Sequence, residues 1–251
     1  DDIKEEQAAN VANKDKKGGD NNREFYFNAP KDSKGNVIEQ FKPVAGINKF
    51  DILPFYFEGG IIPGKTAGMV GTRLPIQVYK NVGPSKSGVL SLAQLMKDDP
   101  IKNEYTSLQG VQRGLASQDD KDKFYDTKMK PLRAQFRSIY LVLHHVGDKK
   151  ILKWFDVSDF MFQKKMDNKI DELQQLGETV GIIADPVNGK TVAIFGKDDT
   201  FKTSNGSGEY VKIESVSFVT RDKPIADTEE KAKAIIAKLP KLDACLNVKT
   251  T

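Results

Sequence analysis

Cysteine is nearly absent from this chain. Cys245 is the only one among 251 residues, so no disulfide forms within the chain and no cysteine-rich zinc site can be assembled. Histidine is almost as scarce. His144 and His145 are the whole supply, and as neighbours on a strand they point to opposite faces and cannot hold one metal as a pair. Without a third histidine or a cysteine cluster, zinc and triad chemistry lack their residues. Carboxylates are plentiful but lie in charge runs such as Asp119-Asp120 and Asp198-Asp199, which suit solvated loops better than catalysis. Neither an enzyme nor a cofactor or metal is expected. No apolar run approaches the roughly 18 residues that span a bilayer, and no signal-peptide pattern opens the chain. A reducing, cytoplasmic setting without a membrane partner is therefore expected. Regular strand–helix alternation is missing too, which argues against a parallel α/β sheet.

What remains is a series of strand signals punctuated by glycine and proline. Residues 1–22 lack aromatics and apolar periodicity and read as a flexible N-terminal tail. Strands are expected at Glu24 to Asn28, Val37 to Phe41, Lys49 to Phe57 and Leu74 to Val82, with a glycine-rich loop from Glu58 to Arg73. Ser87 or Ser91 caps a short helix through Met96, stopped by Asp98-Asp99-Pro100. Residues 101–127 are polar and read as an excursion from the core. Arg133 to Val146 is the longest strand, turned at Gly147-Asp148 into a partner from Lys150 to Phe155. Ser158 or Asp159 then caps a helix with Phe162, Met166, Ile170 and Leu173 on one face, ended by Gly177. Further strands are expected at Val180 to Ala184, Thr191 to Gly196 and Tyr210 to Thr220, joined by turns at Asn188-Gly189 and Asn205-Gly206. A last helix follows Thr228 and closes at Pro240. The fold class is β-rich α+β, a barrel or sandwich decorated with a few helices. The core runs over 23–225 with an inserted subdomain around 58–127, and 226–251 form a C-terminal helix and tail.

Charge is concentrated. The chain carries a net +4. From Lys121 to Lys165 there are eleven cations against five anions, a local +6 that leaves the remainder at −2. The same stretch holds aromatics beside those cations. On the strand from Arg133, the residues Arg133, Gln135 and Arg137 share one face, and Phe136 and Tyr140 share the other. Cations with exposed rings on one sheet are what holds an unstacked polynucleotide: charge for phosphates, flat faces for bases. The alternative is an ordinary lysine-rich solvated sheet, with Phe136 and Tyr140 facing a core. Lys153 and Asp156 mark a wet surface around Trp154.

One motif competes. Residues Gly59 to Thr66 read GGIIPGKT, a formal match to the phosphate-binding loop of nucleotide hydrolases. That loop works because its Lys and Thr open a helix whose amides cradle the phosphates. Here Gly68, Gly71 and Pro75 leave no room for such a helix, and Pro54 suits the preceding strand poorly to a buried parallel position. A glycine-rich surface loop is the expectation, with a nucleotide-binding protein as a minor alternative.

In order along the chain, KFDILPF (Lys49 to Phe55), LPIQVYKNVG (Leu74 to Gly83), Arg133 to Val146 with its hairpin through Trp154, DPVNGKTVAIF (Asp185 to Phe195) and Tyr210 to Ile225 resemble the T-even-type phage single-stranded DNA-binding, or helix-destabilising, proteins. The likeness covers about residues 48–225 and rests on the order of these five motifs. It implies an OB-fold-like barrel with helical and loop insertions, and coating of single-stranded DNA during replication, recombination or repair. It also implies replication or recombination proteins as partners and self-association along DNA. Carried onto matching positions, it implies Phe136, Trp154 and Tyr210 as base contacts, with Tyr140 on the same strand and Arg137 where the family has a second aromatic. Lys128, Lys130, Arg133, Lys153 and Lys212 would neutralise phosphates. The family's zinc ligands have no counterpart, since their places read Asn81-Val82-Gly83 and Asp99-Pro100-Ile101-Lys102. Its basic N-terminal segment and acidic C-terminal tail are not matched by DDIKEEQ and LNVKTT either. A structural or adaptor protein of a phage built on a similar barrel is the other reading.

Overall fold

Alternating apolar residues that stop at Pro54 make strand β1 (Gly46–Leu53), and the chain resumes past the proline as β2 (Phe55–Tyr56), which pairs with β3 (Val70–Gly71). The computed structural model describes residues 25–83, 87–178, 181–203 and 206–248. Among them follow β4 (Leu74–Val82), β5 (Ser87–Leu90), α1 (Pro100–Arg113), α2 (Gln118–Phe124), β6 (Gln135–Val146), β7 (Lys149–Ser158), α3 (Gln163–Gln175), β8 (Lys190–Thr203), β9 (Gly206–Thr220) and α4 (Glu229–Ile236). The fold is β-rich α+β. Its seven-stranded sheet runs β5-β4-β6-β1-β8-β9 with β7 also on β6, every strand pair is antiparallel, and the sheet is not closed. Among the described residues no helix is long and apolar enough to cross a membrane.

Strand β6 organises everything else. It pairs with β4 through Gln135–Ile139, with β1 through Leu141–His144, and with β7 along most of its length. Both of its faces are covered, because alternate residues enter separate cores. Tyr140 and Val142 join Phe41, Phe50, Phe155, Phe162 and Met166 in one; Ile139 and Leu141 join Phe27, Phe55, Leu74, Leu242 and Leu246 in the other. The second core draws in both ends of the described chain: Asn28 N–H donates to the Cys245 carbonyl, and Asp243 accepts from the Glu58 and Gly59 amides. Residues 37–41 run along the outer edge of β7, where Phe41 N–H meets the Trp154 carbonyl.

Several local expectations change. Pro100 starts α1 rather than stopping a helix, because the first helical turn needs no proline N–H and buried Asp99 caps the Ile101 and Lys102 amides. Residues 101–127 are therefore largely helical, and α1 and α2 bury no residue fully. The segment after Leu90 makes only a 3-10 turn, Ala93–Leu95. Phe25–Asn28 and Val37–Phe41 form isolated bridges instead of strands, and Ile182–Asp185 form a turn; Glu24, Val180 and Asn205 lie outside the described residues, as does the 1–22 tail. Helix α3 begins after Phe162, with no side-chain cap from Ser158 or Asp159. Thr228 does cap α4, accepting from the Lys231 amide.

At the middle of the sheet lies a buried carboxylate, Asp51 of β1. It accepts from Thr191 Oγ1 at 2.5 Å, Lys150 Nζ at 2.7 Å and Arg221 Nε at 3.2 Å, and meets His145 Nε2 at 3.0 Å. Burial works to raise its pKa, but the hydrogen bonds from Lys150, Thr191 and His145 and the Arg221 charge outweigh it, so the carboxyl titrates below its ordinary range. Arg221 is almost fully buried and also donates to the carbonyls of Asp185 and Ile183. Asp51→Ala strands that guanidinium and should cost about 3–5 kcal/mol in urea unfolding. Because the folded pKa is depressed, the contribution of Asp51 is complete above the unfolded value of about 3.9 and is lost as pH falls through the folded pKa. Unfolding midpoints of the unmodified protein should therefore drop more steeply below about pH 4 than those of Asp51→Asn; parallel curves would contradict this.

Candidate nucleic-acid interface

The polar run before β6 folds as a π-helical turn (Tyr125–Met129) and a 3-10 turn (Lys130–Leu132), anchored by buried Met129 and started again by Pro131. This sets Lys130 and Arg133 at the entrance to β6. Lys130 pairs with Asp126 at 2.9 Å, one helical turn earlier, and Arg133 Nη1 donates to Tyr125 Oη at 3.4 Å. Lys128 is exposed on the same turn. The Asp159 amide donates to the Phe136 carbonyl at 3.1 Å, which brings the β7–α3 connection beside the start of β6. Phe162 turns into the core as Phe160 turns outward.

The result is a cleft of about 650 Å³ at one end of the sheet. Two phenylalanines line it, Phe136 at 59% and Phe160 at 73% exposed. Four cations, Arg73, Lys130, Arg133 and Lys164, share the lining, with Lys164 Nζ 5.7 Å from the centre of the Phe160 ring. Rings this exposed contribute little to the core, yet here they stand among cations. Phe160, Lys164 and Arg73 were not singled out from the sequence. Phe160 carried a signal, since it falls outside the Phe162, Met166, Ile170 stripe that α3 buries.

The other expected contacts do not join this cleft. Tyr140 is a core residue at 2% exposure, its ring edge-on to Phe162 at 5.3 Å, and only its hydroxyl reaches outward, donating to Gln163 Oε1. Burial pushes that phenol well above its usual pKa. Arg137 and Trp154 lie across β6 in a second cleft of about 500 Å³ with Phe25, Tyr26, Lys80 and Asp156. Arg137 Nε donates to Asp156 at 2.6 Å and Tyr26 Oη to its other oxygen at 2.5 Å. Trp154 is half-buried, its ring 5.1 Å from Phe27, and not on the wet surface its neighbours suggested. It pairs opposite Leu141, so it shares the face of the odd-numbered β6 residues, away from Phe136. Lys153 is held by Glu39 at 2.9 Å on the β7 edge.

Tyr210 and Lys212 lie on β9, outside the lining of this cleft. Past Gly196, the last partner of β1, strands β8 and β9 continue paired with each other, and Tyr210 there donates to Asp199 at 2.9 Å as Lys212 pairs with Glu214. Gly46, opposite Gly196, lies toward the Val146 end of β6, whereas Phe136 is at the opening end. The ten residues therefore occupy several places rather than one groove.

The glycine loop from Gly59 to Thr66 passes into a turn and β3, so no helix follows it to present amides to a phosphate. Its first amide, Gly59 N–H, is taken by Asp243, as is that of Glu58 just before it. No protein-family model matches the chain, and no curated protein matches it.

The partition of aromatics has a direct check. Phe136→Ala and Phe160→Ala should change unfolding free energy by no more than about 0.5 kcal/mol, whereas Tyr140→Ala should cost about 3–5 kcal/mol. Equal losses in urea titrations would contradict the assignment.

Proposed function

We propose that this protein binds single-stranded nucleic acid, as a single-stranded DNA-binding protein without a fixed target sequence, through the cleft at the start of β6. The observation that carries this reading is the pair of exposed rings, Phe136 and Phe160, set among Arg73, Lys130, Arg133 and Lys164. Bases stack on the rings, and the phosphates between them meet the cations. The cleft across β6, with Trp154, Arg137 and Lys80, offers a second basic aromatic surface. The order of motifs shared with the helix-destabilising proteins supports the same role, coating single strands during replication, recombination or repair. In this reading the open sheet, with β1 and β4 end to end along one edge of β6 and β7 on the other, is a divergent OB-like barrel.

The test is fluorescence anisotropy of labelled single-stranded and duplex oligonucleotides at two salt concentrations. Single strands should bind more tightly than duplex, and more weakly as salt rises. Phe136→Ala and Phe160→Ala should each weaken binding by about ten- to a hundredfold, the value of one stacked base. Lys130→Ala or Lys164→Ala should instead lower the salt slope by about 0.7. No binding at low salt would sink the proposal and leave a structural or adaptor role.

A further inference from the structure

Two carboxylates line the cleft beside its four cations, and among the described residues neither forms an ion pair. Lys130 is held by Asp126, Arg133 by the Tyr125 hydroxyl, and Lys164 lies over Phe160. Asp159 and Asp167 have neutral donors instead. Asp159 Oδ1 accepts from the hydroxyl of Ser138, a fully buried residue, and Asp167 Oδ1 accepts from Gln163 Nε2 at 2.6 Å. Asp159 is also fixed through its backbone, its N–H on the Phe136 carbonyl and its own carbonyl accepting from the Lys164 amide at 2.9 Å. It adjoins Phe160 in the chain. One oxygen of this carboxylate is thus tied to a rigid partner, and the other has no described donor.

A general electrostatic role fits poorly, because a negative charge in a phosphate-binding cleft opposes affinity. A carboxylate does, however, discriminate between bases: it only accepts hydrogen bonds. Cytosine offers an N4 amino group and adenine an N6 amino group, whereas thymine turns a carbonyl, O4, to the same place. The one remaining thymine donor, N3–H, stands between two carbonyls that repel the carboxylate.

We propose that Asp159 gives the cleft a base preference, for cytosine and adenine over thymine, at the position stacked between Phe136 and Phe160. This rests on reading the cleft as a single-strand site. Stacking supplies sequence-tolerant affinity, and Asp159 adds a selective contact at one base.

Oligo(dC) and oligo(dT) of equal length test it on the full chain, since both are pyrimidines with the same backbone charge and differ at the group that Asp159 would meet. Oligo(dC) should bind about tenfold more tightly than oligo(dT) at fixed salt, the discrimination of one good base contact. Asp159→Asn keeps the side-chain shape and can still accept from Ser138, but presents an N–H₂ group to the base. The dC-to-dT affinity ratio should fall to one or invert, while Asp167→Asn leaves it unchanged. The ratio is the readout, because removing either charge tightens binding to both oligonucleotides. Equal binding of dC and dT to the unmodified protein, or a ratio that survives Asp159→Asn, overturns the base preference and leaves strand binding standing. Binding of neither oligonucleotide overturns the strand-binding reading itself.

Discussion

The buried carboxylate of Asp51 is the constraint on which the rest of the sheet depends. It gathers donors from β6, β7, β8 and the segment after β9, so one residue of β1 ties four parts of the chain together. A one-residue slip of β1 would exchange Asp51 for Phe50 or Ile52, moving a charge into the aromatic core and the aromatic core onto the donors. The two penalties reinforce one another, which fixes the register of β1 between β6 and β8. Arg221 carries the constraint further by closing the turn around Ile183 and Asp185.

With β1 fixed, β6 is committed to two cores at once, and that determines where a ligand can reach it. Its middle is inaccessible on both faces, with Ile139, Tyr140, Leu141 and Val142 buried. Only its ends are open. At the opening end, Phe136 and Arg137 point to opposite sides, which divides the basic aromatic surface into two clefts. The cleft with Phe136 has exposed rings and cations free of buried ion pairs. The cleft with Arg137 is organised instead around the partly buried Arg137–Asp156–Tyr26 cluster.

Much of the sheet was legible because its signals are local. Leu74–Val82 and the β6–β7 turn follow from alternation and from Gly147-Asp148, and Thr228 from its place before an apolar stripe. Pro100 is ambiguous in the sequence, because proline at a helix start and proline past a helix end look alike until the partners of Asp99 are known. The division of the basic aromatic surface is partly legible in the sequence: a two-residue turn sets Trp154 opposite Leu141, which already puts it on the other face from Phe136. What the sequence could not supply is the contact of Asp159 with the Phe136 carbonyl, a pairing across 23 residues that brings Phe160 and Lys164 to the site. The burial of Trp154 was hidden for the same reason, since Phe27 and the 39–41 segment come from far along the chain.

Photocross-linking of a halogenated single-stranded oligonucleotide to the full chain, with the attached peptides identified by mass spectrometry, tests the central claim most directly. The account predicts cross-links concentrated at Phe136 and Phe160. Cross-links confined to Tyr210 on the paired extension of β8 and β9, with Phe136 and Phe160 unmodified, would contradict it.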